Sequence, residues 1–180
     1  MSEMLESGVK HCLGEALARD KAPRFSNNRA CDFSVFGELF DMVFARSIIT
    51  HGGPGLVRAL FAQFARYSTA DAVMLLSYWP SGRPVPPPSG GKKVLCGDLL
   101  PLDDWSFVAV MTYSIKRLNS WAMEFDLEAV EWRERPRINA QIWLRLTKRG
   151  AAPRPLRATD PARSWRRQLL HNALVEIARF

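Results

Sequence analysis

The chain has 180 residues, of which 47% are hydrophobic and 24% are charged, and its formal net charge is +7. This composition predicts a folded protein with a sizeable core and excludes a chain that is disordered throughout. We expect a single domain over residues 1–180, made of a helical half (1–79), a proline- and glycine-rich loop (80–93), and a strand-rich half with a closing helix (94–180).

The sequence does not predict export or membrane insertion. Its first segment is amphipathic and acidic, unlike a signal peptide, and no run reaches the roughly 18 apolar residues of a membrane span. The three cysteines are odd in number and widely spaced, which is typical of reduced thiols, and the histidines do not cluster with them as zinc ligands would. We therefore expect a cytoplasmic protein without a metal site.

Helical spacing of apolar residues predicts two helices before residue 50. The first covers residues 3–19, and the second covers residues 33–49, with Asp32 or Ser34 as its cap. A polar loop joins them.

A third helix is predicted after the glycine pair at 52–53. Pro54 suits a first-turn position, and one apolar stripe follows at helical spacing, formed by Leu56, Leu60, Phe61 and Phe64. Residues 71–79 are a buried strand or a short buried helix, and periodicity does not decide between them.

The stretch His51–Gly55 reads His-Gly-Gly-Pro-Gly and resembles the oxyanion loop of the proline iminopeptidase group of α/β-hydrolases. The resemblance implies a loop after a strand, whose backbone N–H groups stabilise an oxyanion. Here a helix is predicted before the loop, and the chain contains no Gly-x-Ser-x-Gly motif. We therefore expect a link between two antiparallel helices, or alternatively an anion site at the helix start beside Arg58.

Period-two alternation predicts strands in the second half. Residues 105–116 are apolar on both faces, whereas 121–133 and 137–148 alternate around a hairpin turn at 134–137. Asp160 would cap the closing helix. The predicted fold class is α+β, with N-terminal helices, an antiparallel sheet of three to five strands and a C-terminal amphipathic helix.

Three carboxylates, Glu124, Asp126 and Glu128, alternate along one of these predicted strands. The stretch Phe-Asp-Leu-Glu resembles the first motif of DEDD-type 3′–5′ exonucleases, which implies metal binding by an Asp and a Glu two residues apart. The later acidic motifs of that family do not follow here. The alternatives are another Mg²⁺-dependent nuclease built on these three residues, or a solvated face of an antiparallel strand.

The positive charge is concentrated at the end of the chain. Residues 1–144 carry 16 basic and 16 acidic residues, whereas residues 145–180 carry 9 and 2. Arginine predominates, and its planar guanidinium group suits phosphate. The predicted phosphate-binding residues are Arg145, Lys148, Arg149, Arg154, Arg157, Arg163, Arg166 and Arg167.

This basic segment carries the functional prediction. We expect a small nucleic-acid-associated accessory or regulatory protein that binds the phosphate backbone, without catalytic residues or a cofactor. The Arg/Ala/Pro-rich composition is typical of a GC-rich bacterial or mobile-element gene. The alternatives are an inhibitor or adaptor that docks an acidic protein, and the nuclease, which would require Mg²⁺.

Overall fold

The structure is a computed structural model that describes residues 7, 15–26, 28, 30–84, 93–105, 109–132 and 141–152. The chain divides into two compact units, of which the first comprises residues 1–29 and 155–179. Its described part contains helix α1 (Glu15–Lys21). The second unit comprises residues 30–154 and residue 180. The prediction of a single domain stays a prediction.

The second unit is a mixed α/β structure with a six-stranded sheet. Its strands are β1 (Phe40–Ala45), β2 (Ser68–Pro80), β3 (Val94–Cys96), β4 (Val110–Tyr113), β5 (Leu127–Glu131) and β6 (Ile142–Lys148). Its helices are α2 (Pro54–Arg66) and α3 (Ile115–Met123). The order across the sheet is β3-β4-β2-β6-β5, and β1 also pairs with β2. The pairs β1–β2, β2–β4 and β3–β4 are parallel, whereas β2–β6 and β5–β6 are antiparallel.

Strand β2 is the longest strand and has different neighbours along one of its edges. On that edge β1 pairs with β2 up to Leu76, and β4 pairs with it from Trp79 onward. Strand β6 runs along the opposite edge. Eight consecutive residues of β2 are buried, as expected for a central strand covered on both faces.

Residues 46–53, which we call the His51 turn, fill the gap between β1 and β4. The Ser47 N–H donates to Ser77 Oγ on β2 at 2.8 Å. On the other side, the Met111 N–H of β4 donates to the Thr50 carbonyl at 2.8 Å. The turn therefore supplies an acceptor for a backbone N–H of β4, and it is tied to β2 through a serine side chain.

Helix α2 confirms the helix that was predicted after the glycine pair at 52–53. Pro54 occupies its first turn, where the missing N–H has no cost, and the helix runs to Arg66. The predicted stripe is buried, and its residues Leu60, Phe61 and Phe64 belong to one core cluster with residues of β2 and α3. Residues 71–79 fall within strand β2, which resolves the ambiguity in favour of a strand.

The predicted helix over residues 33–49 is wrong. A 3-10 turn at Phe33–Phe36 is capped by Asp32 and ends at Gly37, whose φ of 68° breaks the helical path. Strand β1 follows. Its six residues are apolar on both faces except for Asp41, a pattern that suits a parallel strand as well as a helix.

The predicted sheet is corrected in number and direction. It has six strands rather than three to five, and it is mixed because the β–α–β connection through α2 makes β1 and β2 parallel. Parts of the two alternating segments, Leu127–Glu131 and Ile142–Lys148, form the antiparallel pair β5–β6. Residues 115–123, where the ends of two strands were predicted, form helix α3 instead. The predicted turn at 134–137 and the closing helix after Asp160 lie outside the described residues.

Within the described ranges, no helix has the length and apolar character needed to cross a membrane. Cys31 and Cys96 are both free thiols. The cytoplasmic location stays a prediction.

Replacing Leu118 with Ala tests the packing of α3 on the sheet. Leu118 is completely buried in the core cluster. We expect Leu118→Ala to lower the free energy of unfolding by about 2–5 kcal/mol, because it removes buried apolar surface and leaves a cavity. Ser120→Ala, on the exposed side of the same helix, should change it by less than about 0.5 kcal/mol. Denaturant unfolding monitored by circular dichroism measures both, and equal losses would contradict this packing.

Candidate functional site

The His51 turn presents a histidine at the carboxyl side of β1. His51 Nδ1 lies 3.3 Å from the Ala109 carbonyl oxygen, at the start of the β4 segment. A carbonyl oxygen only accepts, so this hydrogen bond requires the proton on Nδ1. In the neutral ring Nε2 is then the acceptor nitrogen, which is the form that takes up a proton from another group.

The backbone next to His51 is held by a buried tyrosine. Tyr113 of β4 donates its hydroxyl hydrogen to the Gly52 carbonyl at 2.5 Å. Burial raises the pKa of Tyr113, and the carboxylates of Asp104 and Asp98 raise it further. The hydroxyl group therefore keeps its proton over the ordinary pH range and remains a donor.

The start of α2 is covered by the chain itself. The Gly55 N–H donates to the Asp104 carbonyl at 2.8 Å. A Cβ atom on Gly53 would lie 2.3 Å from that same oxygen, and one on Gly55 would lie 2.6 Å from the Trp105 ring. The glycines are therefore needed for the close approach of residues 103–105, and they do not leave an open cradle for a phosphate group.

The two interpretations of His51–Gly55 are corrected accordingly. The stretch links a strand to a helix and not two helices, because β1 precedes it. The alternative anion site beside Arg58 is absent from the described residues. The Arg58 guanidinium group donates to Glu124 Oε2 at 2.7 Å. At the helix start, the Asp104 carbonyl already accepts from the Gly55 N–H.

Two aspartates lie near Tyr113 and the start of α2. Asp104 lies against Gly53, and Asp98 follows β3 and accepts from the Ser114 N–H at 3.1 and 3.2 Å. The charges of both carboxylates raise the pKa of the Tyr113 hydroxyl group. The Arg117 guanidinium group lies beside Asp98 and donates to its backbone carbonyl at 3.3 Å.

The three carboxylates predicted from the sequence do not share a face. Glu124 follows the last turn of α3, Asp126 has a φ of 57° between α3 and β5, and Glu128 lies exposed on β5. In the part of the chain that is described, no group of three or more His, Cys, Asp or Glu residues is arranged to hold a metal ion. The strand predicted over residues 121–133 begins inside helix α3, so these three residues do not alternate along one strand.

The predicted basic surface is only partly described. Arg145 lies on β6 opposite Val130, and Lys148 Nζ donates to the Ser68 carbonyl at 2.8 Å. Arg149 is exposed just after the strand. The other predicted phosphate-binding residues lie outside the described residues, and they are Arg154, Arg157, Arg163, Arg166 and Arg167.

His51, Asp98 and Asp104 had no role predicted from the sequence. The His-Gly-Gly sequence indicated a loop. Because residues 33–49 were predicted as a helix, the sequence did not indicate that this loop follows a parallel strand. Asp98 and Asp104 had no distinguishing motif, since residues 97–105 become a site only when they fold onto α2 and β4.

No protein-family model and no curated protein matches this sequence. Solved structures do resemble it in fold. The S-adenosylmethionine-dependent methyltransferase SibL in its apo form has a TM-score of 0.46 and 11% identity, over 77% of this chain and 40% of that chain. An O-methyltransferase family protein from Burkholderia thailandensis has a TM-score of 0.43 and 12% identity, over 69% of this chain and 35% of that chain.

A third similar structure contains a bound cofactor product. The O-methyltransferase NcsB1 from neocarzinostatin biosynthesis, in complex with S-adenosyl-L-homocysteine and 1,4-dihydroxy-2-naphthoic acid, has a TM-score of 0.40 and 12% identity. The match covers 60% of this chain and 29% of that chain. This chain therefore spans well under half the length of the structures that it resembles.

These comparisons correct the functional prediction. The predicted nucleic-acid-associated accessory protein, with its inhibitor and nuclease alternatives, is wrong, because the similar structures just described are methyltransferases. The expected absence of a cofactor is also contradicted, since similar structures hold S-adenosylhomocysteine or S-adenosylmethionine. The predicted nucleic-acid or acidic protein partner is not tested.

Replacing Gly53 with Ala tests the closure over α2. The added Cβ atom would meet the Asp104 carbonyl oxygen at 2.3 Å, so residues 103–105 must move away from the helix start. We expect a loss of about 1–3 kcal/mol in unfolding free energy and faster hydrogen exchange at the Gly55 amide, which loses its acceptor.

Gly82→Ala is the control for this experiment. Gly82 has a φ of 77° and open space around it, so its replacement costs backbone energy without touching the turn. Exchange at the Gly55 amide should stay at the wild-type rate in this variant. Unchanged exchange in Gly53→Ala, measured by NMR, would show that Asp104 does not close the helix start.

Proposed function

We propose that this chain takes part in methyl transfer from S-adenosylmethionine, and that the His51 turn and its neighbouring carboxylates belong to the reaction site. The observation that carries the proposal is a histidine of defined tautomer on a turn whose next two residues, Gly52 and Gly53, contact Tyr113 and Asp104. The turn combines a proton acceptor with a nearby carboxylate, and it follows the carboxyl end of β1, where open α/β sheets bind ligands.

The charge of the site favours this class of cofactor over a dinucleotide. S-adenosylmethionine carries positive charge on its sulfonium and ammonium groups, whereas dinucleotides carry negative phosphates. Asp98 and Asp104 suit the former. The α2 N-terminus, where a phosphate group would bind, is occupied by the Asp104 carbonyl.

The side chains around the start of α2 and Tyr113 therefore fit the cationic part of the cofactor. Asp98 and Asp104 are the residues that would stabilise its positive charge, and the half-exposed Trp105 ring next to Gly55 offers an aromatic face. When bound, the cofactor supplies an electrophilic methyl group.

His51 supplies the complementary chemistry. A hydroxyl group is a poor nucleophile until its proton is removed, and a positioned imidazole does this efficiently near neutral pH. The Ala109 carbonyl keeps the Nδ1 proton in place, so Nε2 receives the proton of the methyl acceptor. Among the residues singled out from the sequence, His51 is thus the one that we assign to the reaction.

Binding of S-adenosylmethionine tests the proposal. Isothermal titration with S-adenosylmethionine and S-adenosylhomocysteine compares two ligands that differ by a methyl group and a positive charge. We expect Asp104→Asn and Asp98→Asn each to weaken binding of the charged ligand about twofold to fivefold, and that of the neutral thioether less, because only the former loses a charge interaction.

Glu128→Gln is the matched control, because it removes an exposed carboxylate from β5 instead. It should leave both affinities unchanged. If the wild-type protein shows no saturable binding of S-adenosylmethionine up to about 1 mM, a weak affinity of about 4 kcal/mol, the proposed function is wrong. Equal effects of all three variants would remove the two aspartates from the site.

A further inference from the structure

Three residues in or next to β4 form hydrogen bonds with three consecutive residues of the His51 turn. The Met111 N–H donates to the Thr50 carbonyl at 2.8 Å, and the Ala109 carbonyl lies 3.3 Å from His51 Nδ1. The third contact is the hydrogen bond from Tyr113 to Gly52. Residues 109, 111 and 113 alternate along the chain, so one strand segment fixes the backbone on both sides of His51 and the ring itself.

The contact to the imidazole ring is the longest of the three. A bond of 3.3 Å is near the upper limit for N–H···O geometry and depends closely on the position of the ring. That position follows from the backbone path through His51. The Thr50 carbonyl belongs to the peptide group directly before His51, and the Gly52 carbonyl belongs to the second peptide group after it, so the two hydrogen bonds hold this path on both sides. A shift of the Gly52 carbonyl therefore changes the geometry of the bond to Ala109.

Tyr113 has little freedom to move. Its side chain is completely buried, and its ring packs edge-on against Trp121 with centroids 5.7 Å apart. A Cβ atom on Gly97 would lie 2.1 Å from the ring, so the absence of a side chain at Gly97 is what admits it. The hydroxyl group is thus presented to Gly52 from a rigid support.

We propose that Tyr113 is a positioning residue for His51, because its hydroxyl group fixes the Gly52 carbonyl and thereby the tautomer of the imidazole ring. This inference rests on the proposed function for its catalytic meaning, since the tautomer decides whether Nε2 accepts a proton. Tyr113 itself acts through the backbone of the turn.

The test is the tautomer of His51 in wild-type protein and in Tyr113→Phe, measured by long-range ¹H–¹⁵N NMR at a pH where the ring is neutral. A His51→Gln variant assigns the signals among the three histidines. We expect the Nδ1-protonated form to predominate in the wild type, and its ratio to the Nε2-protonated form to fall about fivefold in Tyr113→Phe, as the loss of one hydrogen bond would produce.

Tyr78→Phe is the matched control. Tyr78 is also completely buried, and its hydroxyl group donates to Glu131 Oε1 and not to the turn. This variant should lose comparable stability and keep the wild-type tautomer ratio. The proposal is overturned if Tyr113→Phe keeps the wild-type ratio, or if both variants change it equally.

A second replacement covers the case in which Tyr113→Phe does not fold. Installing 4-aminophenylalanine at position 113 keeps a donor at the same place on the ring, so the wild-type tautomer should return, and a ratio different from the wild type would contradict the proposal. The NMR measurement uses no cofactor. Failure of S-adenosylmethionine binding would therefore reject the proposed function, whereas an unchanged tautomer in Tyr113→Phe would reject only the positioning role.

Discussion

The need to pair both edges of one long buried strand determines much of this structure. Strand β2 runs over 13 residues, and eight consecutive residues of it are buried. Water cannot reach its peptide groups along that stretch, so each of them needs a hydrogen-bond partner in the protein. A buried N–H or C=O without a partner lowers the free energy of unfolding by about 1–3 kcal/mol. Strand β6 pairs with one edge, whereas the other edge is shared by β1 and β4 in succession.

The His51 turn exists because β1 ends before β2 does. The last paired residue of β1 is Ala45, opposite Leu76, and β4 begins to pair only at Trp79. The chain must bridge this interval within the sheet before it enters α2, and the hydrogen bonds of Ser47 and Thr50 do so. The same turn brings His51 to the start of β4 and Gly53 to Asp104. The pairing of the sheet and the geometry of the candidate site therefore depend on the same residues.

The sequence predicted local features well and the topology poorly. Pro54 and the stripe of α2 follow local rules, and the alternation of β5 was recognisable because this strand has one buried face. Strand β6 also alternates in its aliphatic residues, although Trp143 and Thr147 on its other face are buried too. Strand β1 was predicted as a helix because it is apolar on both faces, and this error also concealed the parallel connection through α2. The meeting of Asp98, Asp104 and Tyr113 depends on contacts between distant segments, for which no local pattern exists.

Strand β2 also has a consequence for the synthesis of the protein. Its apolar run from Ala72 to Leu76 leaves the ribosome about sixty residues before β6, its partner along one edge. At typical elongation rates of about 5–20 residues per second, that edge stays uncovered for roughly three to twelve seconds. Short apolar segments with high strand propensity are aggregation-prone while they lack partners. Slow translation of residues 81–141, or an absence of chaperones that hold nascent chains, should therefore lower the yield of folded protein, independently of the stability of the finished fold.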